Sequence, residues 1–162
     1  MVTQDSPIPA PFVSEVRTVL PEWIDFNGHM NIAYYVVAFD LATDDAFNFF
    51  GIDDQHREKS NCSTFTLELH VNYLLEIMEG EPFLVHTTVL AVDAKRLHLF
   101  HEMFHAKTGE LVATNEIMFV HVDMKKRRST PFHDHILARL QEIAAVHASL
   151  PRPPNAGRSI GF

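Results

Sequence analysis

The segment "NIAYYVVAFDLATDDAFNFF", residues 31–50, constrains the fold more than any other part of the chain. Ile32, Tyr35, Val36, Phe39, Ala42, Ala46 and Phe49 recur at spacings of three and four, the period of an α-helix. Tyr34, Val37, Leu41, Phe47 and Phe50 carry the apolar character onto the flanks. Only a narrow polar stripe is left, made of Asp40, Thr43, Asp44 and Asn48. A helix that is apolar around most of its girth has to be surrounded by other structure. Gly51 is well placed to end it.

The surrounding elements follow a strand period. In residues 64–73, Phe65, Leu67, Leu69, Val71 and Tyr73 alternate with Thr64, Thr66, Glu68, His70 and Asn72, which predicts a strand with one apolar face. Residues 12–20, 83–92, 96–106 and 111–122 also read as strands. The links at 93–94 and 107–109 are of hairpin length, so neighbouring strands should run antiparallel. Residues 131–148 predict a second, more amphipathic helix with a proline at its start. The expected class is α+β: an antiparallel five-stranded sheet wrapped around a long central helix, with a C-terminal helix, the hotdog architecture. One domain is expected over 12–148, with proline-rich flexible segments at 1–11 and 151–162.

Bulk properties narrow the function. The 162 residues carry a net charge of −8, which argues against a nucleic-acid partner. The single cysteine, Cys62, forbids an intrachain disulfide. The start, "MVTQDSPIPAPF", lacks the charged and apolar regions of a signal peptide. No apolar run approaches the ~20 residues that span a bilayer. The expectation is a soluble, cytoplasmic protein with no membrane partner.

The chemistry-bearing stretch is "IDFNGHMNIAYY", residues 24–35, at the mouth of the buried helix. Asp25, Asn27, His29 and Asn31 occupy alternate positions around Gly28. A helix N-terminus offers unpaired N–H groups and a positive dipole end, which can hold a developing oxyanion. A nearby carboxylate can act as general base on water or attack a carbonyl itself. Gly28 permits a sharp turn close to a ligand. Asn31 alone reads equally well as a helix cap. Four polar groups in seven residues exceed what a cap uses, so Asp25 is read as functional.

"DFNGHMNIAYY" resembles the motif of the hotdog thioesterases, in the branch that includes 4-hydroxybenzoyl-CoA thioesterase. That resemblance implies Asp25 as the catalytic carboxylate. The Asp-x-Asn-x-His-x-Asn spacing is also similar to the plant acyl-carrier-protein thioesterases, which implies contributions from Asn27 and His29. Gly28, His29 and Asn31 would then polarise and position the carbonyl. "KRLHLFHEMFH" and "HVDMKKRRSTP" further resemble betainyl-CoA thioesterases of carnitine breakdown. The hotdog enoyl-CoA hydratases place His five residues after Asp, behind a proline. Here His29 is four after Asp25 and Gly28 stands in that region, so hydration is the weaker alternative. A non-catalytic acyl-CoA-binding module is the other.

No cofactor is expected beyond coenzyme A as part of the substrate. Lys125, Lys126, Arg127 and Arg128 form the strongest basic run and would suit the phosphates of CoA, or simply a solvated loop. Trp23, Phe26, Tyr34 and Tyr35 could wall a pocket for a quaternary ammonium acyl group, or belong to the core. No metal is expected: "HDH" at 133–135 could bring two ligands together, but no recognised companion motif accompanies it. The resemblance implies a homodimer or homotetramer with sites between subunits.

Overall fold

The computed structural model describes residues 7–161. The long helix forms as α1, Ile32–Phe50. Tyr35, Ala38, Phe39, Ala42, Thr43, Ala46, Phe47 and Phe50 are its buried residues, one continuous stripe. Gly51 ends the helix with φ of 89°, the left-handed conformation glycine adopts without a Cβ clash. Burial is not uniform round the helix, because Ile32 and Val37 are exposed. Thr43, expected on the polar stripe, is buried and donates its hydroxyl to the Phe39 carbonyl at 2.9 Å.

The sheet has β1 (Phe12–Val13), β2 (Arg17–Thr18), β3 (Cys62–Tyr73), β4 (Pro82–Val92), β5 (Arg96–His105), β6 (Leu111–Asp123) and β7 (Arg128–Ser129). The order is β1-β4-β5-β6-β3, with β2 also on β4 and β7 on β6; the pairings are antiparallel. The inner face packs on α1: Phe47 meets Phe119 of β6 at 5.1 Å between ring centroids. A second helix, α2 (Asp54–Ser60), follows α1, and α3 (Asp134–His147) closes one end. Ile136, Leu140 and Ile143 of α3 join Phe47, Phe50, Leu97 and Leu99 in one core cluster. Tyr35, Phe39, Trp23 and Met30 belong to another, towards the start of α1. This is the expected hotdog fold.

Three local expectations are corrected. Residues 12–20 do not form one strand. The Ser14 hydroxyl accepts from the Val85 N–H, and the Glu15 N–H donates to Asp45, so side-chain bonds break the ladder between β1 and β2. The clean alternation of β3 fails at Leu67, where the register with β6 shifts. Phe65 pairs with Val120, whereas Leu69 pairs with Ile117 of the inner face, so the bulge moves the apolar set from one face to the other. The polar α2 was not expected at all; Asp53 caps it by accepting from the His56 N–H at 2.8 Å.

The segments expected to be flexible fall partly outside the described residues, at 1–6 and 162. Within them, the Pro9 carbonyl accepts from His147 Nε2 at 2.9 Å, and the Gly157 N–H donates to Glu116 at 2.6 Å.

His101 sits under α1, fully buried, with Thr43 Oγ1 at 3.2 Å from Nε2 and Thr87 Oγ1 at 2.9 Å from Nδ1. Burial pushes its pKa down to about 3. The unfolded chain takes up a proton near pH 6.5 that the folded chain refuses. The stabilisation is therefore complete above that pH and is lost as pH falls towards 3. The expected slope is about 1.4 kcal/mol per pH unit for this residue. Burial lowers the pKa of His86 and His147 in the same direction. Melting temperatures measured from pH 7.5 to pH 5 should fall steadily; a flat profile would contradict the buried neutral imidazole.

Candidate active site

The loop before α1 is held from two sides. The Met30 N–H donates to the Ile77 carbonyl at 2.9 Å, and the Asn31 N–H to the Trp23 carbonyl at 2.9 Å. Within the loop, the Asp25 N–H donates to the His29 carbonyl at 3.1 Å and the Gly28 N–H to the Asp25 carbonyl at 2.9 Å. This tight turn requires Gly28 at φ of +83°.

The Asp25 carboxylate is half-buried and oriented by two donors. The backbone N–H of Asn27 donates to Oδ1 at 2.8 Å, and the Asn31 side-chain amide donates to Oδ2 at 3.3 Å. Asn31 thus serves both readings of the motif. Its Oδ1 caps α1 by accepting from the Ala33 N–H at 3.0 Å, while its Nδ2 steers Asp25. Among the described residues, the N–H groups of His29 and Ile32 donate to no protein atom. They lie on either side of Asn31 and are available to an oxyanion at the positive end of the helix. Replacing Asn31 by Ala should cost about 1 kcal/mol through the lost cap. It should also lower turnover by releasing Asp25; paired chemical-denaturation and activity measurements check both.

The other expected residues are placed as follows. The Asn27 side chain is exposed and only its backbone touches Asp25. His29 Nδ1 lies 3.1 Å from the Met30 carbonyl, which can only accept, so Nδ1 is the donor in that contact. Trp23 and Tyr35 are buried in the core. Trp23 stacks on the half-buried Tyr34 at 5.5 Å between centroids, and Tyr35 donates its hydroxyl to the Leu75 carbonyl. Phe26 is 97% exposed at the loop tip. Of the four aromatic residues expected at a pocket, Phe26 and Tyr34 keep ring surface open in one chain.

Lys125, Lys126 and Arg127 lie in the turn between β6 and β7, and Arg128 opens β7. Asp123 accepts from the backbone N–H groups of Lys125 and Lys126, which, with the Lys126 charge, holds its carboxyl below the usual range. The Arg127 guanidinium lies over Phe65 at 5.1 Å. This turn is at the far end of the sheet from Asp25. The Tyr73 end of β3 reaches the start of α1, where the Tyr73 hydroxyl donates to the Ile32 carbonyl, while Cys62 at the other end pairs with Asp123. Glu68 and His70 line a depression of about 600 Å³ on the outer sheet face with His98, Glu116 and residues 157–160, away from Asp25. Cys62 is buried and free. No helix among the described residues is long and apolar enough to cross a membrane.

Histidines missed as a group meet where α2, β6 and the start of α3 converge. His56, His121 and His133 each bring a ring nitrogen within 4.8 Å of the others. They come from three separate segments, and no local spacing could have paired them.

A sheet wrapped round one helix, with an oriented carboxylate and free N–H groups at the helix mouth, defines a hotdog protein equipped for carbonyl chemistry. The chain belongs to the Thioesterase-like superfamily, which it matches over residues 19–140. It is 43% identical over 144 residues to the betainyl-CoA thioesterase of Pseudomonas aeruginosa, covering 89% of this chain and 91% of that protein. It is 35% identical over 139 residues to the L-carnitine dehydrogenase/betainyl-CoA thioesterase of Rhizobium meliloti, covering 86% of this chain and 28% of that longer protein. Among solved structures, a Staphylococcus aureus protein in complex with CoA superposes with a TM-score of 0.88 at 30% identity, covering 98% of this chain and 99% of the other. A Pseudomonas putida protein superposes at 0.81 with 35% identity, over 94% and 97%.

Proposed function

We propose that the protein hydrolyses betainyl-CoA to betaine and CoA, with Asp25 as the catalytic carboxylate. The observation that carries the reading is the Asp25 carboxylate, held by Asn27 and Asn31 beside the unpaired N–H groups at the start of α1. The identity to a betainyl-CoA thioesterase supports the substrate. In the proposed reaction the thioester oxygen sits against the His29 and Ile32 N–H groups. Asp25 takes a proton from water as the water oxygen bonds to the carbonyl carbon, or attacks that carbon itself to form an acyl-aspartyl anhydride that water opens once CoA has left. The carbon–sulfur bond then breaks and CoA leaves as a thiolate, which needs little help from an acid. Phe26 and Tyr34 would offer ring faces to the quaternary ammonium.

The assembly belongs to the same proposal. β3 is an edge strand of 12 residues, and Leu67, Leu69 and Tyr73 on it are 59%, 40% and 46% exposed. A long apolar edge is a pairing surface. Antiparallel pairing of two β3 edges would bury it in a homodimer. It would also carry the Lys125–Arg128 turn of one subunit towards the Asp25 mouth of the other, where CoA phosphates can meet it. Within one chain that turn is separated from Asp25 by most of the length of β6, on the order of 40 Å at strand rise. The lone cysteine agrees with a cytoplasmic setting.

Incubation with betainyl-CoA and a thiol reagent tests the activity. Steady thiol release is expected. Binding without release would identify a binding module, and loss of enoyl absorbance from an enoyl-CoA without thiol release would identify a hydratase.

A further inference from the structure

We propose that His56, His121 and His133 form a binding site for a divalent transition-metal ion, zinc in the first instance. The case begins with His121, fully buried on the inner face of β6. Its Nδ1 lies 3.1 Å from the Thr130 carbonyl and 3.0 Å from the Pro131 carbonyl. Both partners only accept, so the proton is on Nδ1 and Nε2 carries a lone pair. That Nε2 is buried and has no partner among the described residues. A backbone carbonyl holding one ring nitrogen while the other aims a lone pair is the arrangement that orients metal-bound imidazoles.

His56 Nε2 is buried in the same place, also without a partner among the described residues. The two rings lie 6.0 Å apart, and His133 completes a triangle at 5.5 Å from His56 and 5.9 Å from His121. One nitrogen from each falls within 4.8 Å of the others. A tetrahedral zinc site with ~2.0–2.1 Å bonds separates its ligand nitrogens by about 3.4 Å. His133 is exposed, so its ring has room to turn towards the two buried ones. Two unpartnered imidazole nitrogens buried side by side are otherwise uncompensated, since buried polar atoms are nearly always paired.

The surroundings suit an ion. A hollow of about 400 Å³, lined in part by Asp53, His56, His133 and His135, opens the site to solvent. It offers a route of entry and room for a fourth ligand, either water or the His135 ring at 6.2 Å from His56. Three imidazoles and no thiolate fit zinc, with nickel or copper as chemically allowed occupants.

The ion would tie α2, β6 and the start of α3 together beyond the C-terminal end of α1. In the same chain, Asp25 is at the other end of that 19-residue helix, which is about 28 Å long at helical rise. The ion is therefore a clamp on the fold and takes no part in the Asp25 chemistry of its own chain.

The test uses the full-length protein stripped with chelator and dialysed into metal-free buffer. Titration with Zn²⁺ should load one ion per chain by elemental analysis and raise the melting temperature. Co²⁺ should give visible absorption bands of a low-symmetry nitrogen site. His133→Ala, at an exposed position, should melt with wild type when metal-free but bind zinc at least about tenfold more weakly. His56→Gln provides a second variant with the same expected loss. Absence of stoichiometric zinc, of cobalt bands and of a melting shift would overturn the proposal. So would a His133→Ala protein that binds zinc as wild type does.

Discussion

Asp25→Asn should reduce thioester hydrolysis by about 10²–10⁴-fold, the usual worth of a positioned acid–base group. Its melting temperature should match that of the wild type. The amide keeps the size of the side chain and retains an oxygen to accept the Asn27 N–H at Oδ1. What it loses is the charge and basicity needed to activate water or to attack the carbonyl. Asn27→Ala and His29→Ala should have smaller effects on a single site, because neither side chain bonds to Asp25 within the chain. Thiol release by purified variants decides the matter. A fully active Asp25→Asn protein would remove Asp25 from the chemistry.

The second large effect is expected at the edge of the sheet. Leu67→Lys combined with Leu69→Lys should convert the proposed dimer to a monomer. Both leucines are exposed in the single chain, so the fold itself has little to lose. In a β3–β3 interface each charge would be buried without a partner, which disfavours association. Light scattering coupled to size exclusion should show halved mass. Activity should fall with the dimer, because in the proposed assembly the basic turn at 125–128 reaches an Asp25 mouth only across the interface. A wild-type protein that is already monomeric and fully active would contradict this assembly.

The elements that could be read from the sequence are those whose period is set locally. α1 announces itself because Tyr35, Phe39, Ala42 and Ala46 must share one face, and β4, β5 and β6 because their turns are short. The bulge at Leu67 is different: it is fixed by pairing with β6, a partner some fifty residues away, and a regular alternation conceals it. α2 has no apolar period, being "DQHREKS", and exists through the Asp53 cap. The break at 14–16 depends on Asp45 and Val85, again remote in the chain.

The candidate site divides in the same way. Asp25, Gly28 and Asn31 lie within seven residues of one another, so the carboxylate, the turn and the cap were visible as one motif. Which groups hold the carboxylate was not visible. In the folded chain the Asn31 amide and the Asn27 backbone N–H do so. Trp23 and Tyr35 could equally have been wall or core by composition, and packing placed them in the core. The three-histidine cluster is the extreme case, since only the folded chain brings residues 56, 121 and 133 together.

The most direct test of the account compares kcat/KM for betainyl-CoA with that for 3,3-dimethylbutanoyl-CoA, in which a carbon replaces the quaternary nitrogen. A cation held over aromatic faces contributes about 0.5–2 kcal/mol. The account predicts rapid thiol release from betainyl-CoA and a preference of roughly tenfold over the neutral ester, since a factor of ten corresponds to about 1.4 kcal/mol. No release from betainyl-CoA, or equal turnover of the two esters, would contradict it.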